Sequence, residues 1–108
     1  MIWIDCNPQA GREMKDIHPL VVLSPREFNL RTGIVIGLPM TTAAFNETNP
    51  FAVRFKGATG VTSYILGHQP KSFDWRARNA KPHPLKRVAQ EPFDAACDTL
   101  EQIIAIGR

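Results

Sequence analysis

The stretch LVVLSPREFNLRTGIVIGLPMTT, residues 20–42, decides how this chain folds. It holds two unbroken apolar runs, LVVLS at 20–24 and IVIGLPM at 34–40. Short apolar runs bounded by turn formers read as strands buried on both faces. Between them, PREFNLRTG at 25–33 reads as a short turn closed by a Thr-Gly pair. Working outward, IWID at 2–5 reads as a strand, FAVRFK at 51–56 alternates as a half-buried strand should, and VTSYILGH at 61–68 is a further strand. GATG at 57–60 is a turn between them, while NPQAGREMKDIHP at 7–19 and TTAAFNETNP at 41–50 are loops. Five short strands with tight turns predict a small barrel or sandwich.

The pattern changes after residue 68. SFDWRAR, 72–78, reads as one helical turn, and EPFDAACDTLEQIIAIG, 91–107, as a helix by period. Phe93, Ala96, Cys97, Leu100, Ile103 and Ile104 fall on one apolar stripe of that helix. Pro92 suits its first position, Asp94 the positive end of its dipole, and Gly107 its stop. The expected architecture is mainly β: one helix packed on a small, strongly bent sheet.

The chain has 108 residues, one domain's worth, so residues 1–108 are expected to share a single modest core. No apolar run nears the ~20 residues of a membrane span. No charged-then-apolar leader opens the chain, so a cytoplasmic setting is expected, with Cys6 and Cys97 as buried thiols. Net charge is +3 but unevenly spread. Residues 71–87 carry six Lys or Arg and one Asp, whereas 89–107 carry four acids and no base. Such a basic segment reads either as a solvated surface or as a face for a polyanion.

No phosphate-cradling glycine loop, HExxH, GxSxG or zinc spacing is present, which removes most cofactor and metal enzymes. The groups left are polar residues at strand edges. His18 precedes Pro19, and a residue before proline is held extended. Its imidazole can trade a proton near neutral pH from a rigid mount. In PMTT, 39–42, Thr41 and Thr42 follow the second strand, where hydroxyls and backbone N–H groups can hold phosphate oxygens. In HQPKSFDWRAR, 68–78, Lys71, Arg76 and Arg78 are interleaved with Phe73 and Trp75. Cations can track a nucleic-acid backbone while aromatic faces stack unpaired bases. The other reading of Phe73 and Trp75 is core beneath a solvated rim.

These pieces, in this order, resemble the MazF/PemK family of toxin endoribonucleases, from IWIDCNPQAGRE through HPLVVLSP, GLPMTT and HQPKSFDWRAR to the final helix. Only the family's short lead-in ending Gly-Asp has no counterpart here. The resemblance implies an SH3-like barrel of the CcdB, PemK and MazF type with a C-terminal helix, and a homodimer. It implies metal-free, cofactor-free cutting of single-stranded RNA at short preferred sequences, and a cognate antitoxin of the MazE or PemI type.

Residue by residue, the family's catalytic threonine corresponds to Thr41. Its catalytic arginine, in an Arg-Pro strand opening, is replaced by His18. Glu13 matches an acidic position common in the family. Gln69, Lys71 and Ser72 match its DQ-x-KS segment, with His68 in place of the acid. RNA contacts are thus expected at Arg12, Glu13, Lys15, Thr42, Gln69, Lys71, Ser72, Arg76 and Arg78. RNA carries its own nucleophile, so an enzyme must move two protons and stabilise charge on phosphorus. His18 can transfer protons and Thr41 can donate to a non-bridging oxygen. The permanent forked cation that histidine lacks would fall to Arg12, Lys15 or Lys71. The alternative function is an inactive or weakened homologue that still binds RNA or antitoxin.

Overall fold

The computed structural model describes residues 1–5, 17–57 and 60–104. Seven strands, two α-helices and one 3₁₀ turn occur among them. They follow the order β1 (Ile2–Asp5), β2 (Ile17–Val22), α1 (Arg26–Thr32), β3 (Ile34–Thr41), the 3₁₀ turn Ala44–Thr48, β4 (Ala52–Lys56), β5 (Thr62–Leu66), β6 (Lys71–Asp74), β7 (Lys81–Pro82) and α2 (Gln90–Ile103). All pairings are antiparallel, along the path β4-β5-β3-β2-β1-β7, with β6 also on β3. The architecture is the mainly β, helix-capped one expected from sequence. The two end strands of the path are not paired with each other among the described residues.

The quoted stretch forms the centre. Leu20 pairs with Pro39, Val21 with Leu38 and Val22 with Gly37. Side chains alternate across a strand, so two apolar neighbours must feed two cores. Leu20 joins Ile4, Val35 and Phe73 on one face, while Val21 joins Leu38, Met40, Ile65 and Ala96 on the other. Gly37 permits this close approach. A Cβ there would lie 2.3 Å from the Val21 carbonyl oxygen and 2.9 Å from Leu20 Cγ.

Helix α1 stands where the sequence predicts only a turn. It has seven residues and buries none of them, so there is no apolar stripe to read. Its holds are polar. Gly33 closes it at φ 72°, donating to the Asn29 carbonyl. Asn29 is fixed by Ser24 on one side, and its carbonyl accepts the Trp75 indole N–H at 2.7 Å. The exposed Glu27–Arg31 pair at 3.0 Å contributes only a few tenths of a kcal/mol.

Two further expectations change. Lys71–Asp74 is a strand, not part of a helical turn, because Phe73 is buried opposite Val35 and its burial favours an extended backbone. Trp75–Asn79 is the turn that follows. Helix α2 begins at Gln90, which puts Pro92 at its third position, and it ends at Ile103; Gly107 lies outside the described residues. Phe93, Ala96 and Leu100 pack against the sheet and Cys97 is half-buried, whereas Ile103 and Ile104 are exposed. The inward stripe thus stops one turn before the helical period does.

Candidate active site

His18 lies within β2, not off its mouth. The strand starts at Ile17, and His18 is paired with Ile4 of β1. Thr41 is the last residue of β3, opposite Tyr64 of β5. The β2–β3 ladder ends at Leu20 and Pro39. His18 and Thr41 each lie two residues beyond that last pair on their own strands, on the face that Leu20 and Pro39 occupy. Both residues line a cavity of about 570 Å³ and a smaller one of about 220 Å³ beside it.

The Thr41 hydroxyl oxygen accepts the Ala43 N–H at 3.2 Å, which fixes its rotamer and leaves its own O–H to donate. Beyond it, the loop is pinned by two asparagines that the sequence marks only as turn formers. Asn46, 4% exposed, donates to the Ala43 carbonyl at 3.1 Å, and Asn49 donates to the Asn46 side-chain oxygen at 3.2 Å. Asn49 in turn accepts the Phe51 N–H at 3.0 Å. The only hint in the sequence is an Asn-x-x-Asn spacing among Thr, Glu and Pro.

The far wall comes from a slip in register. Strands β5 and β6 run along one edge of β3, but Met40 pairs with Ile65 while Gly37 pairs with Lys71. Three residues more lie on the outer strand than on β3. The surplus leaves the ladder at Gly67–Pro70 as a turn, closed by the Gln69 N–H on the Leu66 carbonyl at 3.2 Å. Gly67 sits where a Cβ would be 2.8 Å from Thr99 Cγ2 and 3.0 Å from the Phe51 carbonyl oxygen. His68 and Gln69 therefore enter the larger cavity.

The Gln69 amide nitrogen is 3.2 Å from His68 Nε2. An amide NH₂ only donates, so this contact places the ring proton on Nδ1. Burial lowers the His68 pKa, which favours that neutral form. His68 Nδ1 and Gln69 Oε1 have no hydrogen-bond partner among the described residues. One donor and one acceptor thus remain in the wall.

Among the other expected site residues, Thr42 lines the smaller cavity with His18 and Thr41. Lys71, Ser72, Arg76 and Arg78 line neither. Lys71 and Ser72 are in β6, opposite Gly37 and Ile36. Arg76 stacks on Trp75 at 4.7 Å, and Arg78 lies over Phe73 at 5.5 Å and donates to the Asp5 carbonyl at 3.3 Å. Asp5 is paired with Ile17 of β2 and bonded to Arg78, so β1 stands between Arg78 and β2. Phe73 and Trp75 take the core reading: Phe73 is buried and Trp75 packs against the same cluster. Arg12, Glu13, Lys15 and Cys6 lie outside the described residues.

A family model described as PemK-like, MazF-like toxin of type II toxin-antitoxin system matches residues 1–104. The chain belongs to that family. The protein named Endoribonuclease toxin MazF, from Escherichia coli strain K12, is 40% identical over 82 residues, spanning 74% of this chain and 69% of that protein. The crystal structure of MazF from Deinococcus radiodurans matches with a TM-score of 0.84 at 30% identity, covering 97% of this chain and 92% of the other. A MazE–MazF structure from the same organism matches at 0.78 and 29%, covering 98% and 92%. The PemK-like, MazF-like fold thus extends across both walls of the cavity.

Proposed function

We propose that this chain is a toxin endoribonuclease that cuts single-stranded RNA at short preferred sequences, without a metal, and is neutralised by a cognate antitoxin. Family membership and the endoribonuclease names of its relatives support the activity class; the MazE–MazF structures support the antitoxin. The observation that carries the mechanism is the meeting of His18 and Thr41 on one cavity, with the Thr41 O–H left to donate. In this reading the 2′-oxygen attacks phosphorus and the 5′-oxygen leaves. A 2′,3′-cyclic phosphate and a 5′-hydroxyl result, with one proton removed and one supplied. His18 is the proton-transfer group, and Thr41 donates to a non-bridging oxygen as charge develops there. In this reading the chain's own groups carry both proton transfers.

The RNA contacts of this reading are Thr42 and Gln69 in the cavities, Lys71, Ser72, Arg76 and Arg78 on and after β6, and Arg12, Glu13 and Lys15 in the preceding segment. The chain acts as one toxin domain, in the cytoplasm, as a homodimer. Exposed Ile34, Ile36, Ile103 and Ile104 provide apolar surface for that pairing. The test is to incubate a long unstructured RNA with the protein in EDTA and sequence the ends. Cuts clustered at a short motif with 5′-hydroxyl ends are expected, together with growth arrest on induction that the neighbouring antitoxin gene relieves. RNA that is bound but uncut would favour the inactive homologue instead.

A further inference from the structure

The small cavity at His18 and Thr41 does not end there. It shares Trp3, Pro19, Met40, Thr42 and Ser63 with a third cavity of about 650 Å³. That cavity lies between the two unpaired ends of the sheet path, where Phe55 of β4 and Ser63 of β5 face Trp3 of β1 and His83 beyond β7. His18 and Thr41 thus sit midway along one continuous trough. His68 and Gln69 stand at one end, and Trp3 and His83 at the other.

The far end is built from rings on rigid mounts. Trp3 is held between two strands, opposite Pro19 on one side and Lys81 on the other. The His83 ring lies 4.5 Å from it, tilted by 36°. His83 Nδ1 accepts the Leu85 N–H at 3.0 Å, and its carbonyl accepts the Lys86 N–H at 3.0 Å, so the imidazole is locked in a turn with its proton on Nε2. Burial and then the nearby N-terminal ammonium lower its pKa, keeping the ring uncharged. Thr42 and Ser63 add hydroxyls to a cavity otherwise walled by Met40, Phe55 and Val61. Fixed flat rings, apolar walls and a few hydroxyls suit an unpaired nucleobase, which stacks by its face and hydrogen-bonds by its edge.

We infer that the Trp3–His83 cavity is a nucleobase subsite, taking a base of the single-stranded RNA that flanks the scissile phosphate on the side away from His68 and Gln69. This rests on the ribonuclease reading above, and it assigns Trp3 and His83 a role in substrate binding. The test uses short RNAs spanning the cleavage motif, each with one abasic position. Binding is measured to His18→Ala protein, which leaves the RNA intact, and again after adding His83→Ala or, separately, Trp3→Leu. One abasic position should weaken binding about ten-fold or more in the parent. The same position should cost nothing further once His83 or Trp3 is replaced. Circular dichroism checks that each variant is folded, and His83→Ala, on a surface turn, serves if Trp3→Leu is not. If the wild-type chain neither binds nor cuts RNA, the ribonuclease reading itself fails. If it cuts, but both variants keep the parent's abasic profile, the subsite is overturned and the ribonuclease stands. Loss of antitoxin binding in His83→Ala with an unchanged abasic profile would overturn it equally, marking the cavity as an antitoxin contact.

Discussion

The trough and the basic segment 71–87 face the same proposed substrate with opposite means. No Lys or Arg among the described residues lines any of the three cavities of the trough. Its polar groups are neutral or proton-trading: threonines, asparagines, a glutamine, a serine and the histidines His18, His68 and His83. The basic segment has the cations, and two of them rest on the chain's own aromatic rings, Arg76 on Trp75 and Arg78 over Phe73. In sequence, HQPKSFDWRAR reads as one binding unit. The fold divides it, sending Gln69 into the cavity and Arg76 past the end of β6. In the proposed reading, chemistry and attraction are therefore mounted on different parts of the sheet and should respond to different perturbations.

The largest separation is expected from the trough. His18→Ala should lower the single-turnover cleavage rate about 10²–10⁴-fold with RNA binding nearly unchanged. Thr41→Ala should do the same by removing stabilisation of the developing charge. A His18→Ala protein that cuts at the wild-type rate would erase the distinction and leave His18 as a strand residue only.

Arg76→Ala should do the reverse, weakening binding several-fold while sparing the rate at saturating RNA. For every phosphate that is no longer neutralised, the log–log salt slope should flatten by roughly 0.7 on single strands. Affinity that does not change with salt would mean the basic segment is surface and nothing more.

The apolar surface outside both regions gives a third handle. Ile36→Lys should shift the protein from dimer to monomer in light scattering, since Ile36 is 38% exposed on β3 beside β6. A wild-type mass of one chain at micromolar concentration would remove the homodimer from the proposal.

The smallest effect is a pH dependence of stability. His68 and His83 have lowered pKa values, so the folded chain binds fewer protons than the unfolded one in mild acid. Their contribution is complete above about pH 6.5 and is lost as pH falls below it. Both rings are only half-buried, so Tm should drop by only about one or two degrees toward pH 5, and less in His83→Ala. A Tm that rises on acidification would contradict the direction.

Much of the fold is legible because the central strands are apolar on both faces, a pattern with few other uses in a chain this size. Helix α1 is not legible, since it buries nothing and is held by hydrogen bonds among Ser24, Asn29 and Trp75, the last 46 residues beyond Asn29. β6 reads as a helical turn because four residues show too little period to tell it from a strand. Within the site, His18 and Thr41 can be singled out from their places beside prolines and strand ends. Asn46 and Asn49 cannot, because their work is to hold backbone groups that exist only once the loop has its shape.

By itself, then, the sequence determined which residues must leave water, which runs must be extended, and which few side chains could trade a proton or hold a phosphate. Those are local properties of hydrophobicity, backbone stiffness and ionisation, and they travel with the residue. Only the tertiary structure decided which of those side chains meet. The register of β2 on β3, and the three-residue slip between β5 and β6, set His18, Thr41 and His68 around one cavity, and the curl of the sheet carried Trp3 and His83 to its continuation. Register and curl depend on contacts between residues far apart in the chain, and no short window of sequence contains them.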